Sequence, residues 1–321
     1  MEKKYFIEDL FNSVGLTDQS SFVIANIEQK TTRTNQPYID LTLKDRTGEV
    51  AGKIWADNID ETIDQCKVGD VISTDFEVKE YKGSVELHIR KVEKVTEYNP
   101  ADYVLVPGDL KIEELKTELR KRIDSVRDFD LRKILDAFFE DTEFFEAYCN
   151  SPAGMYIHHE YQHGLLQHCL EMLTILDAII KIYSDLNHDL ITTGTLLHDI
   201  GKIKELKVSM SGSTEYTKEG QLIGHIAIGV LMIEKRIPDN FPQVLREQLL
   251  HIIISHQGKR ETGSPVVPTS REAFAVYYAD LTSTYLNIAE HARRKGLKQK
   301  AEGISFSEYN RYLGNNVYLG E

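Results

Sequence analysis

The hydrophobic period of the chain changes once along its length. From about Ser21 to Val95, apolar and polar residues alternate: Ile39, Leu41 and Leu43 interleave with Asp40, Thr42 and Lys44, and Val85, Leu87 and Ile89 with Glu86, His88 and Arg90. Such alternation lays one face of a strand on a core and the other in water. Turn-forming strings separate the runs at Asp45-Arg46-Thr47-Gly48, Val68-Gly69-Asp70 and Tyr81-Lys82-Gly83-Ser84. Asn58 to Cys66, between the third and fourth runs, reads as a short helix. After residues 98–110, which hold two prolines and a glycine, the period becomes that of a helix. The clearest helix runs from about His163 to Tyr183, with Leu165, Cys169, Leu173, Leu176, Ile180 and Tyr183 on one face. Further helices are expected over 111–127, 130–148, 189–200, 222–236, 242–256 and 270–295.

Five strands with a helix after the third is the order of an OB-fold, a small Greek-key barrel. The expected architecture is therefore an N-terminal all-β OB-fold over residues 1–97, a linker over 98–110, and an all-α helical bundle over 111–321. At 321 residues, each part is large enough to bury its own core.

Composition narrows the function. The net charge of −13 argues against a protein that coats nucleic acid by bulk electrostatics, so any polynucleotide must be held locally. The first residues lack the apolar core and small-residue cleavage site of a signal peptide, and no stretch is apolar enough to span a membrane. Cys66, Cys149 and Cys169 are scattered, which suits small core residues in a reducing cytoplasm.

The histidines carry the chemistry. Seven of the eleven fall between His158 and His225, and His251 and His256 follow, mostly inside apolar helices such as GLLQHCLEM, TLLHDIGK and LLHIIISHQG. A lone buried imidazole is usually a satisfied core residue. Several converging on one bundle core each need a partner, and a shared cation satisfies them together. His198 and Asp199 are adjacent, so both reach one site only at a helix edge. Gly201 follows, allowing close approach, and Lys202 adds a cation one turn away. Phosphodiester cleavage uses such parts: metal to acidify water and neutralise phosphate oxygens, and a positive group beside developing charge. Asp199 and Lys202 are the expected catalytic pair.

The series His168 … His198-Asp199-Ile200-Gly201-Lys202 … His225 … His256 … Asp280 resembles the signature of the HD-domain phosphohydrolase superfamily. The resemblance implies one metal held by His168, His198, Asp199 and Asp280, with Asp199 bridging to a second held by His225 and His256. An OB-fold joined to an HD domain at this length is similar to the YhaM-type 3′→5′ exoribonucleases. The strings HHEYQHGLLQHCLEM, ISHQGKRETGSP and YYADLTS resemble segments of that family over nearly the whole chain. Two positions depart from it. Gln257 stands where the family usually has a second histidine, and His163 where it usually has glycine, either crowding the site or supplying a substitute imidazole. Mixed imidazole and carboxylate ligands suit Mn, Fe, Co or Zn, one or two ions per chain, and the resemblance favours manganese.

Single strands bind OB-folds by stacking on aromatics beside basic side chains. The candidates are Tyr38, Trp55 and Tyr81 with Lys53, Lys79, Lys82 and Arg90, while Phe76 reads as core. His158 and His159 are expected to contact the scissile phosphate or terminal ribose, or to cap a helix. His88, His188 and His291 read as surface residues. The leading expectation is hydrolysis of single-stranded RNA, with DNA a second candidate, from the 3′ end to nucleoside 5′-monophosphates. The alternatives are a phosphohydrolase of a small or cyclic nucleotide and a non-catalytic single-strand-binding accessory protein. A monomer and a homo-oligomer are both compatible with the sequence.

Overall fold

The computed structural model describes residues 3–32, 34–81, 83–99, 102–103, 110–154, 161–208, 214–298 and 304–320. It divides into two compact units, residues 1–108 with 208–213 and 291–321, and residues 109–207 with 214–290. Residues 291–321, expected to continue the helical part, thus group with the barrel unit.

The first unit is built on β1 (Thr17–Thr31), β2 (Pro37–Asp45), β3 (Gly48–Trp55), β4 (Val71–Tyr81) and β5 (Ser84–Lys94). They close into a barrel in the order β1-β2-β3-β5-β4, with β1 also paired to β4. All pairings are antiparallel except β3 with β5. This is the OB-fold that the alternation implied. The alternate residues Phe22, Ile24, Ile39, Leu41, Leu43, Ile54, Phe76, Leu87 and Ile89 fill the interior. Phe76 is fully buried, edge-on to Phe22 with ring centroids 6.0 Å apart. Ile7 and Leu10 of α1 (Ile7–Leu10) join the same core. The helix expected over Asn58–Cys66 is shorter: a 3₁₀ turn over Ala56–Asn58, then α2 (Glu61–Asp64). Asp60 caps α2 by accepting from the Thr62 and Ile63 amides. The expected linker begins packed, since Tyr103 is buried against Val23 and Val71 and its hydroxyl lies 2.6 Å from Ser21 Oγ.

The second unit contains α3 (Ile112–Ser125), α4 (Phe129–Phe139), α5 (Thr142–Asn150), α6 (Gly164–Ile182) and α7 (His188–Leu197). After α8 (Lys202–Glu205) come β6 (Leu206–Val208), β7 (Thr214–Tyr216), α9 (Lys218–Ile223), α10 (His225–Glu234), α11 (Gln243–Ser255) and α12 (Arg271–Lys298), the last running on past the unit boundary. The region 130–148 is two helices instead of one, because the Asp141 carboxylate accepts from the Glu143 and Phe144 amides and starts α5 afresh. On α6, Leu165, Cys169, Leu173 and Leu176 are buried as expected, but Tyr183, just past the end, is exposed. One core unites Leu119, Phe138, Tyr148, Leu166, Leu196, Ile252 and Val276. Gly194 lets α7 approach α11: a Cβ there would lie 2.8 Å from Ile252 Cγ2.

Candidate metal centre and nucleic-acid face

The helix α7 ends at Leu197, so His198 and Asp199 lie in the turn before α8. That turn solves the geometric problem of adjacent ligands, because both residues leave the helix at its edge. His168 comes from α6, His225 from the first residue of α10, His256 from the residue capping α11, and Asp280 from α12. Gly201 seats the turn: a Cβ there would lie 1.9 Å from the carbonyl oxygen of His225. Any side chain at this position would push α10 away from the centre.

Each imidazole is oriented through its Nδ1. His198 Nδ1 donates to Thr195 O at 2.7 Å and His256 Nδ1 to Ile253 O at 2.6 Å. His225 Nδ1 lies 3.1 Å from Glu205 Oε1, which also accepts from the His225 amide. His168 Nδ1 lies 3.1 Å from Ser283 Oγ, whose own hydroxyl donates to Glu171 Oε2 at 2.9 Å. These contacts turn each Nε2 inward, the atom that a metal-bound histidine offers once its proton is displaced.

The inward atoms gather around Asp199. Its Oδ2 lies 3.1 Å from His198 Nε2 and 2.6 Å from Lys202 Nζ, and its Oδ1 lies 3.5 Å from both His225 Nε2 and His256 Nε2. His168 Nε2 is 3.3 Å from Asp280 Oδ1. His198 Nε2, His256 Nε2 and Asp199 Oδ1 are buried yet make no hydrogen bond of normal geometry. Orphaned polar atoms in a core are costly, and here they point at one another. Their donor atoms, with those of His168 and Asp280, form two overlapping groups, His168/His198/Asp280 and His198/Asp199/His256, each within the span of one ion. The residues therefore fit a divalent cation.

Electrostatics agree. Burial disfavours charge on Asp199, but His198 and Lys202 hold its carboxyl well below the usual range. Burial likewise pushes the Asp280 carboxyl up, and His168 outweighs it. Burial lowers Lys202, yet Asp199 more than compensates, so the ammonium stays charged although nearly enclosed.

The position of His163 was not legible from periodicity. It precedes α6 with φ of +73°, the left-handed region where glycine is at ease, and its Nδ1 donates to Cys149 O at 2.7 Å. It belongs to neither group of donor atoms that could hold an ion. His251, near α11's end, accepts from the Thr269 amide at 2.9 Å and tethers the following loop. His158 and His159 lie outside the described residues, as does Lys82.

On the barrel, Tyr38, Lys53, Trp55 and Tyr81 share one outer patch. Tyr38 pairs across strands with Trp55, ring centroids 5.3 Å apart, and Lys53 Nζ sits 5.0 Å from the Tyr81 ring and 5.9 Å from Trp55. His88, expected on the surface, belongs to this patch: it packs edge-on to Trp55 at 5.7 Å and lies 2.8 Å from Glu86. Lys53 binds Glu86 at 2.7 Å and Arg90 binds Glu77 at 2.8 Å. Burial raises the Glu86 carboxyl, but Lys53 and His88 together hold it below its ordinary value.

Comparison with known proteins joins these parts. The HD domain model matches residues 165–285, and that of the OB-fold nucleic acid binding domain matches 23–95. An OB-fold of this type with a divalent-metal-dependent HD domain makes the chain a hydrolytic enzyme of the nuclease class. The 3′-5′ exoribonuclease YhaM of Listeria welshimeri is 31% identical over 306 residues, covering 92% of each chain. That of Bacillus subtilis is 29% identical, covering 88% of this chain and 90% of its own. This chain belongs to the YhaM family of 3′-5′ exoribonucleases. No described helix is long and apolar enough to cross a membrane.

Proposed function

We propose that the chain degrades single-stranded RNA from its 3′ end, releasing nucleoside 5′-monophosphates, with single-stranded DNA as a secondary substrate. The observation that carries this reading is the set of buried, unsatisfied donor atoms around Asp199, beside a buried lysine. His168, His198, Asp199, His225, His256 and Asp280 would between them hold one or two cations, for which we propose manganese. When bound, such an ion supplies Lewis acidity at the phosphate and acidifies water.

The protein's own groups account for the rest. Water adds to phosphorus, the P–O3′ bond breaks, the shortened strand keeps a 3′-hydroxyl and the released nucleotide keeps its 5′-phosphate. Lys202 stays protonated and offsets negative charge that grows on the phosphoryl oxygens in the transition state. Asp199, locked between Lys202 and His198, holds both in register. The Tyr38–Trp55–Tyr81 patch, with Lys53 and Arg90, stacks and guides the strand. His158 and His159 are proposed to contact the terminal nucleotide.

A 5′-labelled single-stranded oligoribonucleotide incubated with Mn²⁺ and the protein should shorten stepwise from its 3′ end. His198→Ala and Asp199→Ala should lose on the order of 10³-fold in rate while keeping the helical circular dichroism. Cleavage of a cyclic dinucleotide with no shortening of the strand would move the assignment to a small-nucleotide phosphohydrolase.

A further inference from the structure

The six expected ligands are not equivalent. Five of them, His168, His198, Asp199, His256 and Asp280, supply the two overlapping donor groups, which share His198. His225 belongs to neither group. Its Nδ1 and its amide are both engaged by Glu205 Oε1, so Nε2 carries the lone pair. That lone pair faces Gln257 Nε2 at 3.4 Å. The amide oxygen in its place would repel the lone pair, so the NH₂ end of Gln257 belongs there. An amide N–H is a hydrogen-bond donor and cannot bind a cation.

From this geometry we infer that the chain binds one divalent cation tightly through the five-donor set and a second one only weakly, because Gln257 caps the His225 lone pair. A second ion must displace the amide and would then find only His225, His256 and one oxygen of Asp199, the latter two already shared with the first. The inference rests on the metal-centre reading above and specifies its stoichiometry.

The experiment is a Mn²⁺ titration of the metal-stripped full-length protein by calorimetry, with metal analysis after dialysis. Wild type should retain one ion per chain. Gln257→His, which replaces the capping donor with an imidazole, should retain two, the second tightened by tenfold or more. Paired Mn²⁺ in this variant should also show exchange-coupled electron paramagnetic resonance that wild type lacks. His225→Ala should leave the one tight ion of wild type in place, whereas His168→Ala should weaken it, so the inference stays testable if the glutamine variant fails to fold. Two tightly held ions in wild type, or loss of the tight ion in a folded His225→Ala protein, would overturn the inference and leave the metal centre standing. No bound ion in wild type would overturn the metal centre itself.

Discussion

His163 shows how one residue can be held in a conformation its type disfavours. A left-handed backbone costs an ordinary residue about 1–2 kcal/mol, and the bond from its Nδ1 to Cys149 O contributes about 1 kcal/mol in return. Burial lowers its pKa from 6.5, outweighing the help of that bond. The folded value lies below the unfolded one, so the unfolded chain takes up the proton first. Stability is full above about pH 6.5 and declines as pH falls through that value toward the folded one. His163→Gly removes strain, bond and titration together. Urea unfolding should find it within about 1 kcal/mol of wild type at neutral pH, with a flatter decline below pH 6.5. His163→Ala keeps the strain and should lose about 1 kcal/mol. Equal losses in the two variants would show that strain at this position contributes nothing.

At the scale of elements, the outer patch of the barrel is aromatic at its centre and electrically quiet. Lys53 is tied to Glu86 and Arg90 to Glu77, so among the described residues of the patch few cations are left to release counterions from a phosphate backbone. Trp55→Ala should raise KM for long strands by about tenfold, the loss expected for one stacked base, and leave a dinucleotide nearly unaffected. The dependence of KM on salt should be shallow in both proteins. Unchanged KM on long and short substrates would remove the patch from the substrate path. The patch was readable in the sequence because strand parity placed Lys53 beside Trp55. His88 was missed there, since its role depends on the parallel pairing of β3 with β5, a contact between distant segments. The long helices were legible for the same reason as the strands: each buries one periodic face. The break between α4 and α5 was carried by a cap, not by hydrophobicity. The short elements α8, α9, β6 and β7 bury too few residues to leave any period. The residues expected as ligands come together in space around Asp199 and Asp280, yet the contact between Gln257 and His225 depends on three dimensions.

At the scale of the whole molecule, the centre ties together elements far apart in sequence, from α6 to α12. A cation that binds only the folded form stabilises it by mass action, about 2.7 kcal/mol at a hundredfold excess over its dissociation constant. Removing metal with a chelator should therefore lower the melting temperature by several degrees, and readdition of Mn²⁺ should restore it. The same treatment of Asp280→Ala should give a much smaller shift. A wild-type melting curve indifferent to both treatments would mean that no ion is held by the native fold. Without the ion, Lys202 keeps a positive charge against Asp199, so the stripped protein should remain folded, though less stable.

The closure of β1 onto β4 has a consequence beyond the binding face. A strand order that closes on itself has no outermost strand, so the described barrel leaves fewer unpaired amides than an open sheet on which another polypeptide could add by main-chain pairing. Crowding such barrels along one polymer brings together mainly side chains, which guards them against the ordered clumping to which open sheets are prone.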